Sequence, residues 1–120
     1  MAVTSSQPSP SRGEIWLADL NPTRGHEQAG QRPVLVISTD MFNHGPASLV
    51  FVLPITRSNR RIPVHVPVQP PEGGVTAVSY ILCDSLRSIS KDRLVGAAWG
   101  KVSLQTLRKV EEHLRLLMDL

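Results

Sequence analysis

Side chains that could act on a phosphodiester stand close together in one short segment. Residues 24–38 read RGHEQAGQRPVLVIS and bring a carboxylate (Glu27), an imidazole (His26) and a guanidinium (Arg32) to the start of an apolar run. Attack of a 2′-hydroxyl on the adjacent phosphorus of RNA needs a proton acceptor, cations for the charge that develops on the phosphoryl oxygens, and a donor for the departing 5′-oxygen. Glu27 and Arg32 are of the required types. The alternative is a solvated loop with incidental charges.

A second group of the same kind follows the next apolar run. Residues 48–56, SLVFVLPIT, end on a hydroxyl, Thr56, and are followed by Arg57. If this run pairs with residues 32–38 as an antiparallel hairpin, Arg32 and Thr56 come to the same open end of the sheet. The pairing is an assumption that the sequence alone does not test.

Other catalytic chemistries find little support in the sequence. The four histidines have no ligand spacing, neither HxxxH nor DxD occurs, and no metal site is predicted. GxSxG is absent, and GHEQAG lacks the features of a phosphate-binding glycine loop, so no cofactor is predicted. The lone cysteine, Cys83, excludes a disulfide within the chain and fits a reducing cytoplasm.

The excess positive charge is concentrated in one third of the chain. The net charge is +3, and ten of the thirteen cations are arginine, whose planar fork suits phosphate. Between Leu20 and Arg61, five arginines face only Glu27 and Asp40, which accounts for the whole excess. Arg57, Arg60 and Arg61 either hold RNA phosphates or form a solvated tip.

The elements that must position these residues are short strands followed by one helix. Period-two patterns and continuous apolar runs predict six strands, at residues 14–20, 32–38, 48–56, 62–69, 76–86 and 94–102. The prolines of residues 62–69 imply an edge strand. After Ser103, apolar positions recur every three or four residues and predict an amphipathic helix. Serine is a favoured N-cap residue, so Ser103 is the predicted start of this helix. No apolar run is long enough to span a membrane.

These patterns predict a single domain, residues 12–120, preceded by a flexible arm, residues 1–11. The arm is rich in Ser and Pro and lacks the apolar region of a secretory signal. Many short strands with turn signals and one terminal helix favour a mainly β fold, a small, strongly curved antiparallel barrel with the helix packed on one side.

Three stretches carry a resemblance to a known family. RGEIWLADLNPTRGHEQAGQRPVLVIS, then VLPIT, then ILCDSLRSISKDRL resemble the MazF/PemK family of bacterial toxin endoribonucleases, over nearly the whole chain from Arg12. The resemblance implies an SH3-like barrel with a C-terminal helix, of the MazF/CcdB/Kid type, and a homodimer. It also implies metal-independent cleavage of single-stranded RNA. A cognate MazE-like antitoxin would neutralise the protein by laying an acidic segment along the RNA groove.

The resemblance also assigns roles to residues. It makes Arg32, Thr56 and Glu27 catalytic. Gln31 stands where some relatives have a histidine, so a mechanism that relies on that imidazole does not carry over directly, and His26, close in sequence, is the alternative imidazole. The predicted RNA-binding residues are Arg24, His26, Gln31, Arg57, Arg60, Arg61 and Arg87, the last with a structural role as its alternative. Trp16 and Trp99 are expected in the core or between two copies of the chain.

Non-catalytic functions on the same fold are the competing hypotheses. One is a plain nucleic-acid-binding module, and another is a poison of DNA gyrase, as in a related branch of the fold. The gyrase poisons use a tryptophan near the extreme C-terminus, whereas this chain ends LRLLMDL and places Trp99 before the whole terminal helix. An inactive, antitoxin-binding decoy is a third reading, against which the presence of both Arg32 and Thr56 counts.

Overall fold

An antiparallel sheet forms the framework of the protein in the computed structural model, which describes residues 8–21 and 30–120. Its strands are β1 Glu14–Asp19, β2 Gln31–Val36, β3 Leu49–Thr56, β4 His65–Val68, β5 Ser79–Leu82, β6 Arg87–Ser90 and β7 Leu94–Lys101. They follow the order β4-β5-β3-β2-β1-β7, and β6 pairs with β3 beside β5. β4, with Pro67, lies at one end of this order, as the prolines predicted.

The β2–β3 pair is the hairpin that the sequence analysis assumed. Val34 of β2 lies opposite Pro54 of β3, and Val36 lies opposite Val52, in an antiparallel register. Three of the six side chains of β2 and six of the eight of β3 are buried, in agreement with their continuous apolar runs. Because of this register, the start of β2 and the end of β3 meet at one edge of the sheet.

Buried side chains form two clusters, one on each face of the central strands. Leu35, Leu53 and Ile55 belong to the cluster that the C-terminal helix covers. Val34 and Val52, their neighbours in the chain, belong to the other cluster. Alternation along each strand sends consecutive side chains to opposite faces, so both faces of β2 and β3 are apolar.

The C-terminal helix, α2, runs from Leu104 to Met118 as predicted. The Ser103 hydroxyl caps it by accepting a hydrogen bond from the Thr106 backbone N–H at 3.1 Å. Leu107 and Val110 are buried against the sheet. Among the helices in the described part of the chain, none is long and apolar enough to cross a membrane.

The predicted strand 76–86 is wrong in its extent: only Ser79–Leu82 is strand, and a 3₁₀ turn follows at Cys83–Ser85. The strand after the turn, β6, was not predicted. β5 pairs with the end of β3, whereas β6 pairs with its beginning. The register of β6 is offset from that of β5 by three residues, which is the length of the turn. The interruption therefore lets one stretch of chain pair with both halves of β3.

The described part of the predicted N-terminal arm is hydrogen-bonded to the domain. The Pro10 carbonyl lies 2.8 Å from His44 Nε2, and the Ser11 backbone N–H donates to Glu14 Oε1 at 2.7 Å. A single helical turn, α1 (Asp40–Asn43), lies beside this segment, because the Asp40 carboxylate accepts from the Arg12 backbone N–H. Residues 1–7 of the arm lie outside the described residues.

Candidate active site

A pocket of about 330 Å³ opens at the edge where β2 begins and β3 ends. Arg32 and Thr56 both line it. Continuing the β2–β3 register by two residues from Val34 and Pro54 brings Arg32 opposite Thr56. The prediction that these two residues lie at the same open end of the sheet is therefore confirmed, and the cavity is called the Arg32–Thr56 pocket below.

Thr56 offers its hydroxyl at the floor of the pocket. It is the last residue of β3, lies opposite Tyr80 of β5, and is only 5% exposed. Its Oγ1 accepts a hydrogen bond from the Ser58 backbone N–H at 3.2 Å. This bond uses an oxygen lone pair, so the hydroxyl proton can be donated to an oxygen of a bound ligand.

Arg32 supplies a half-buried positive charge beside that hydroxyl. It is the second residue of β2 and pairs with the small Ala18 of β1. Ile55 and Val75, both almost fully buried, form apolar parts of the pocket lining. A charge next to such walls interacts with a bound anion more strongly than it would in open water.

The outer wall carries a second cation and an aromatic ring. Arg57 is exposed and donates from Nη2 to Thr76 Oγ1 at 3.4 Å. Gln31 and Trp99 line the same pocket. Trp16 is buried as expected. Trp99 is 42% exposed, so it is not in the core, and its expected alternative position between two copies of the chain stays a prediction.

Several predicted site residues do not line the pocket. Arg60 and Arg61 are exposed in the loop beyond Arg57 and are absent from the lining. Arg87 on β6 pairs with Val52, four residues before Thr56 along β3, which is a separation of about 13 Å.

Arg87 is half-buried on β6. Its Nη1 atom is buried and, in the described part of the chain, has no hydrogen-bond partner. The predicted catalytic Glu27 and the predicted RNA-binding Arg24 and His26 lie outside the described residues.

Sequence reasoning missed three residues of the pocket lining. Thr76, Ser79 and Trp99 line the pocket, although none of them was a candidate binding residue. Thr76 and Ser79 lie in a stretch that was read as continuous strand. The position of Trp99 depends on a contact between β7 and a distant glycine turn, which leaves no local pattern in the sequence.

Cys83 and His65, two other side chains of reactive types, do not line the Arg32–Thr56 pocket. Burial and the nearby Asp84 charge raise the pKa of the Cys83 thiol to about 12, so the nucleophilic thiolate is scarce at neutral pH. His65 Nε2 lies 2.9 Å from Asp84 Oδ1. Within residues 8–21 and 30–120, no three His, Cys, Asp or Glu side chains gather into a cluster that could hold a metal ion.

Comparison with known proteins connects this geometry to a family. The profile of the PemK-like, MazF-like toxins of type II toxin-antitoxin systems matches residues 11–118. Endoribonuclease EndoA of Bacillus subtilis (strain 168) is 34% identical, covering 91% of this chain and 94% of EndoA. Endoribonuclease MazF9 of Mycobacterium tuberculosis is also 34% identical, covering 91% of this chain and 96% of MazF9.

Solved structures agree with the sequence comparison. MazF (Form-I) from Deinococcus radiodurans superposes with a TM-score of 0.82 at 28% identity, covering 93% of this chain and 98% of that one. A MazE-MazF structure (Form-II) from the same organism gives a TM-score of 0.76 at 28% identity, over 93% and 97% of the two chains. The match confirms the predicted mainly β, SH3-like fold with a C-terminal helix. The chain belongs to the PemK-like, MazF-like toxin family of type II toxin-antitoxin systems.

Proposed function

We propose that the protein is a toxin endoribonuclease that cuts single-stranded RNA in the Arg32–Thr56 pocket without a metal ion. The observation that carries the proposal is the placement of a half-buried guanidinium and a buried hydroxyl on facing strands of one pocket. Relatives named as endoribonucleases, each matched over most of its length, support the reaction class.

The reaction follows from the chemistry of these groups. The 2′-oxygen of one nucleotide attacks the adjacent phosphorus while its proton passes to a base. The bond from phosphorus to the 5′-oxygen breaks, and that oxygen takes up a proton. The products are a 2′,3′-cyclic phosphate and a 5′-hydroxyl, so atoms and charges balance without an added reagent.

The pocket residues stabilise the pentacovalent phosphorus on this path. Arg32 faces the non-bridging oxygens, where negative charge develops, and its fork can donate to two of them. The Thr56 hydroxyl donates a further hydrogen bond to the same group. Glu27 is the proposed acid–base residue, on the strength of its carboxylate and its match to the family motif.

RNA binding extends beyond the scissile phosphate along the same edge. Arg57 and Gln31, which line the pocket, contact the neighbouring nucleotides. Arg60 and Arg61, exposed in the following loop, attract more distant phosphates. Arg24 and His26 contribute from the β1–β2 connection. Arg87, whose buried Nη1 has no hydrogen-bond partner among the described residues, either contacts RNA or supports the sheet.

The partners follow from the family and from the charge of this edge. A cognate antitoxin with an acidic segment would bind over the two pocket arginines and block RNA, in keeping with the MazE-MazF structure of the Deinococcus relative. The functional unit is a homodimer in the cytoplasm. Light scattering of the purified protein tests the dimer, and a monomer at working concentration would contradict it.

Cleavage of RNA in the presence of EDTA tests the proposed function. The protein is incubated with a long mixed-sequence RNA, and primer extension maps the cut sites. We expect cuts at a short recurring sequence, with 2′,3′-cyclic phosphate ends and with no dependence on added Mg²⁺. Intact RNA under these conditions, or 3′-hydroxyl ends, would contradict the proposal and favour a non-catalytic binding module.

A further inference from the structure

We propose that Trp99 is the base-stacking residue of the Arg32–Thr56 pocket and holds the nucleobase next to the scissile phosphate. This inference depends on the proposed function. Trp99 lines the same pocket as the two catalytic residues and exposes 42% of its surface. Trp16, by contrast, is buried, and its indole N–H donates to Glu14 Oε1 at 3.0 Å.

The backbone at Trp99 is held by a break in strand pairing. β1 pairs Ile15 with Gly100 but Leu17 with Val95, so the register shifts between these pairs. Between these two pairs β1 has one residue and β7 has four, residues 96–99, so β7 has three extra residues. Trp99 is one of the four. A bulge of this kind turns a strand and aims a side chain that regular pairing would leave in the sheet.

A close contact with a glycine turn fixes the bulge against the pocket. At Gly74, which has a φ of +82°, an added Cβ would lie 2.4 Å from the Trp99 carbonyl oxygen. At Gly100 an added Cβ would lie 2.9 Å from the Gly73 carbonyl carbon. Only glycine at these two positions lets the backbone of the turn approach the backbone of β7 so closely. The next two residues after Gly74 are Val75 and Thr76, and both line the pocket.

The same turn is anchored to the C-terminal helix on its other side. Glu72 Oε2 accepts from the Ser103 backbone N–H at 2.9 Å and from the Ser103 hydroxyl at 3.0 Å. Ser103 caps α2. The backbone at Trp99 is therefore held by a series of contacts that extends from the helix terminus to the pocket.

An exposed indole face beside a phosphate-binding cation suits a nucleotide of single-stranded RNA. Bases that are not paired expose a π-face, and stacking on an aromatic side chain tolerates any of the four bases. Two of the other aromatic side chains, Phe42 and Phe51, pack edge-to-face on each other with ring centroids 5.3 Å apart. Among the described residues, no further Trp, Phe or Tyr lines the pocket.

Cleavage assays that combine a Trp99 variant with an RNA lacking one base test the stacking. Once cut sites are mapped, a short RNA with one cut site is made with its bases intact and with an abasic nucleotide on either side of the cut. Loss of the ring in Trp99→Ala should lower kcat/KM on the intact RNA by about 5- to 150-fold, the usual range for one stacked base. On the RNA that is abasic at the stacked position, wild type and Trp99→Ala should be equal.

Matched variants separate stacking from packing. Trp99→Phe keeps a ring and should recover most of the activity, and Met41→Ala, at an exposed apolar residue on α1, should cleave as wild type does. Equal losses by Trp99→Ala on intact and on abasic RNA would overturn the proposal. If those losses accompany a changed mass in light scattering, Trp99 serves contact between copies of the chain instead.

Fluorescence gives a readout of contact that does not depend on turnover. The RNA carries a 2′-deoxy nucleotide before the cut, which prevents cleavage. It should quench the wild-type emission and leave that of Trp99→Phe, which retains only Trp16, unchanged. Equal quenching in the two proteins would overturn the proposal. A wild type that cuts no RNA would instead refute the proposed function.

Discussion

Replacement of Thr56 by valine removes the pocket hydroxyl while nearly preserving the shape of the side chain. The residue is 5% exposed, so a methyl group in place of the hydroxyl lies among buried atoms. The one hydrogen bond lost is that from the Ser58 N–H. Ser58 is exposed, and water can replace the lost acceptor. The free energy of unfolding should therefore fall by about 0.5–1.5 kcal/mol at most.

The expected effect on cleavage is much larger. A hydrogen bond to charge that develops only in the transition state contributes about 10²–10³-fold to the rate in comparable sites. A domain with a stability of about 5 kcal/mol that loses about 1 kcal/mol is still roughly 99.9% folded. Unfolding therefore cannot account for a rate loss of this size, and the two effects can be separated.

Single-turnover cleavage of an RNA with one mapped cut site, in EDTA, measures the rate of the chemical step. Urea unfolding of the same preparations measures stability. Thr56→Ser is the matched control, because it keeps the hydroxyl and loses only a buried methyl group, at about 0.8 kcal/mol. A folded Thr56→Val that cleaves within about twofold of wild type, where the lost donor should cost about 10²-fold, would refute the role assigned to Thr56.

Two further predictions concern charge. Burial raises the pKa of Glu72, but hydrogen bonds from Thr106 and Ser103 outweigh it, so the folded-state pKa lies below the ordinary 4.5. The stability that the Glu72 carboxylate contributes is present above pH 4.5 and lost as the pH falls through the folded-state pKa. Glu72→Gln should therefore lower the free energy of unfolding by up to about 1 kcal/mol near neutral pH. Urea unfolding should show this difference vanish in acid, and a difference that persists in acid would contradict the prediction. Replacing Arg57, Arg60 and Arg61 by Gln should lower the salt slope of RNA affinity by about 0.7 per lost phosphate contact, whereas Arg108→Gln on α2 should leave it unchanged.

The sequence predicts the parts of this fold that depend on local pattern. The continuous apolar runs mark β2 and β3, and the three- to four-residue spacing after Ser103 marks α2. Because two adjacent antiparallel strands share an open end, the meeting of Arg32 and Thr56 also follows from strand order. The central pair of the candidate site thus follows from the sequence once the pairing of β2 with β3 is assumed, and the structure confirms that pairing.

Features that depend on contacts between distant segments could not be predicted in this way. The turn at Cys83–Ser85 lets β5 and β6 pair with two different parts of β3. Asp84 and Ser85 are of turn-favouring types, but this local signal is weak beside the apolar run that precedes them. Trp99 reaches the pocket because Gly74 and Gly100 let two backbones touch.

The measurement that tests the central claim most directly is RNA cleavage by Arg32→Ala in EDTA. Arg108→Ala, at an exposed position of α2, is the control for the same loss of charge. We expect Arg32→Ala to abolish cleavage at the mapped sites while its urea unfolding shows an intact fold, and Arg108→Ala to cleave as wild type does. Undiminished cleavage by a folded Arg32→Ala would contradict the assignment of the Arg32–Thr56 pocket as the active site.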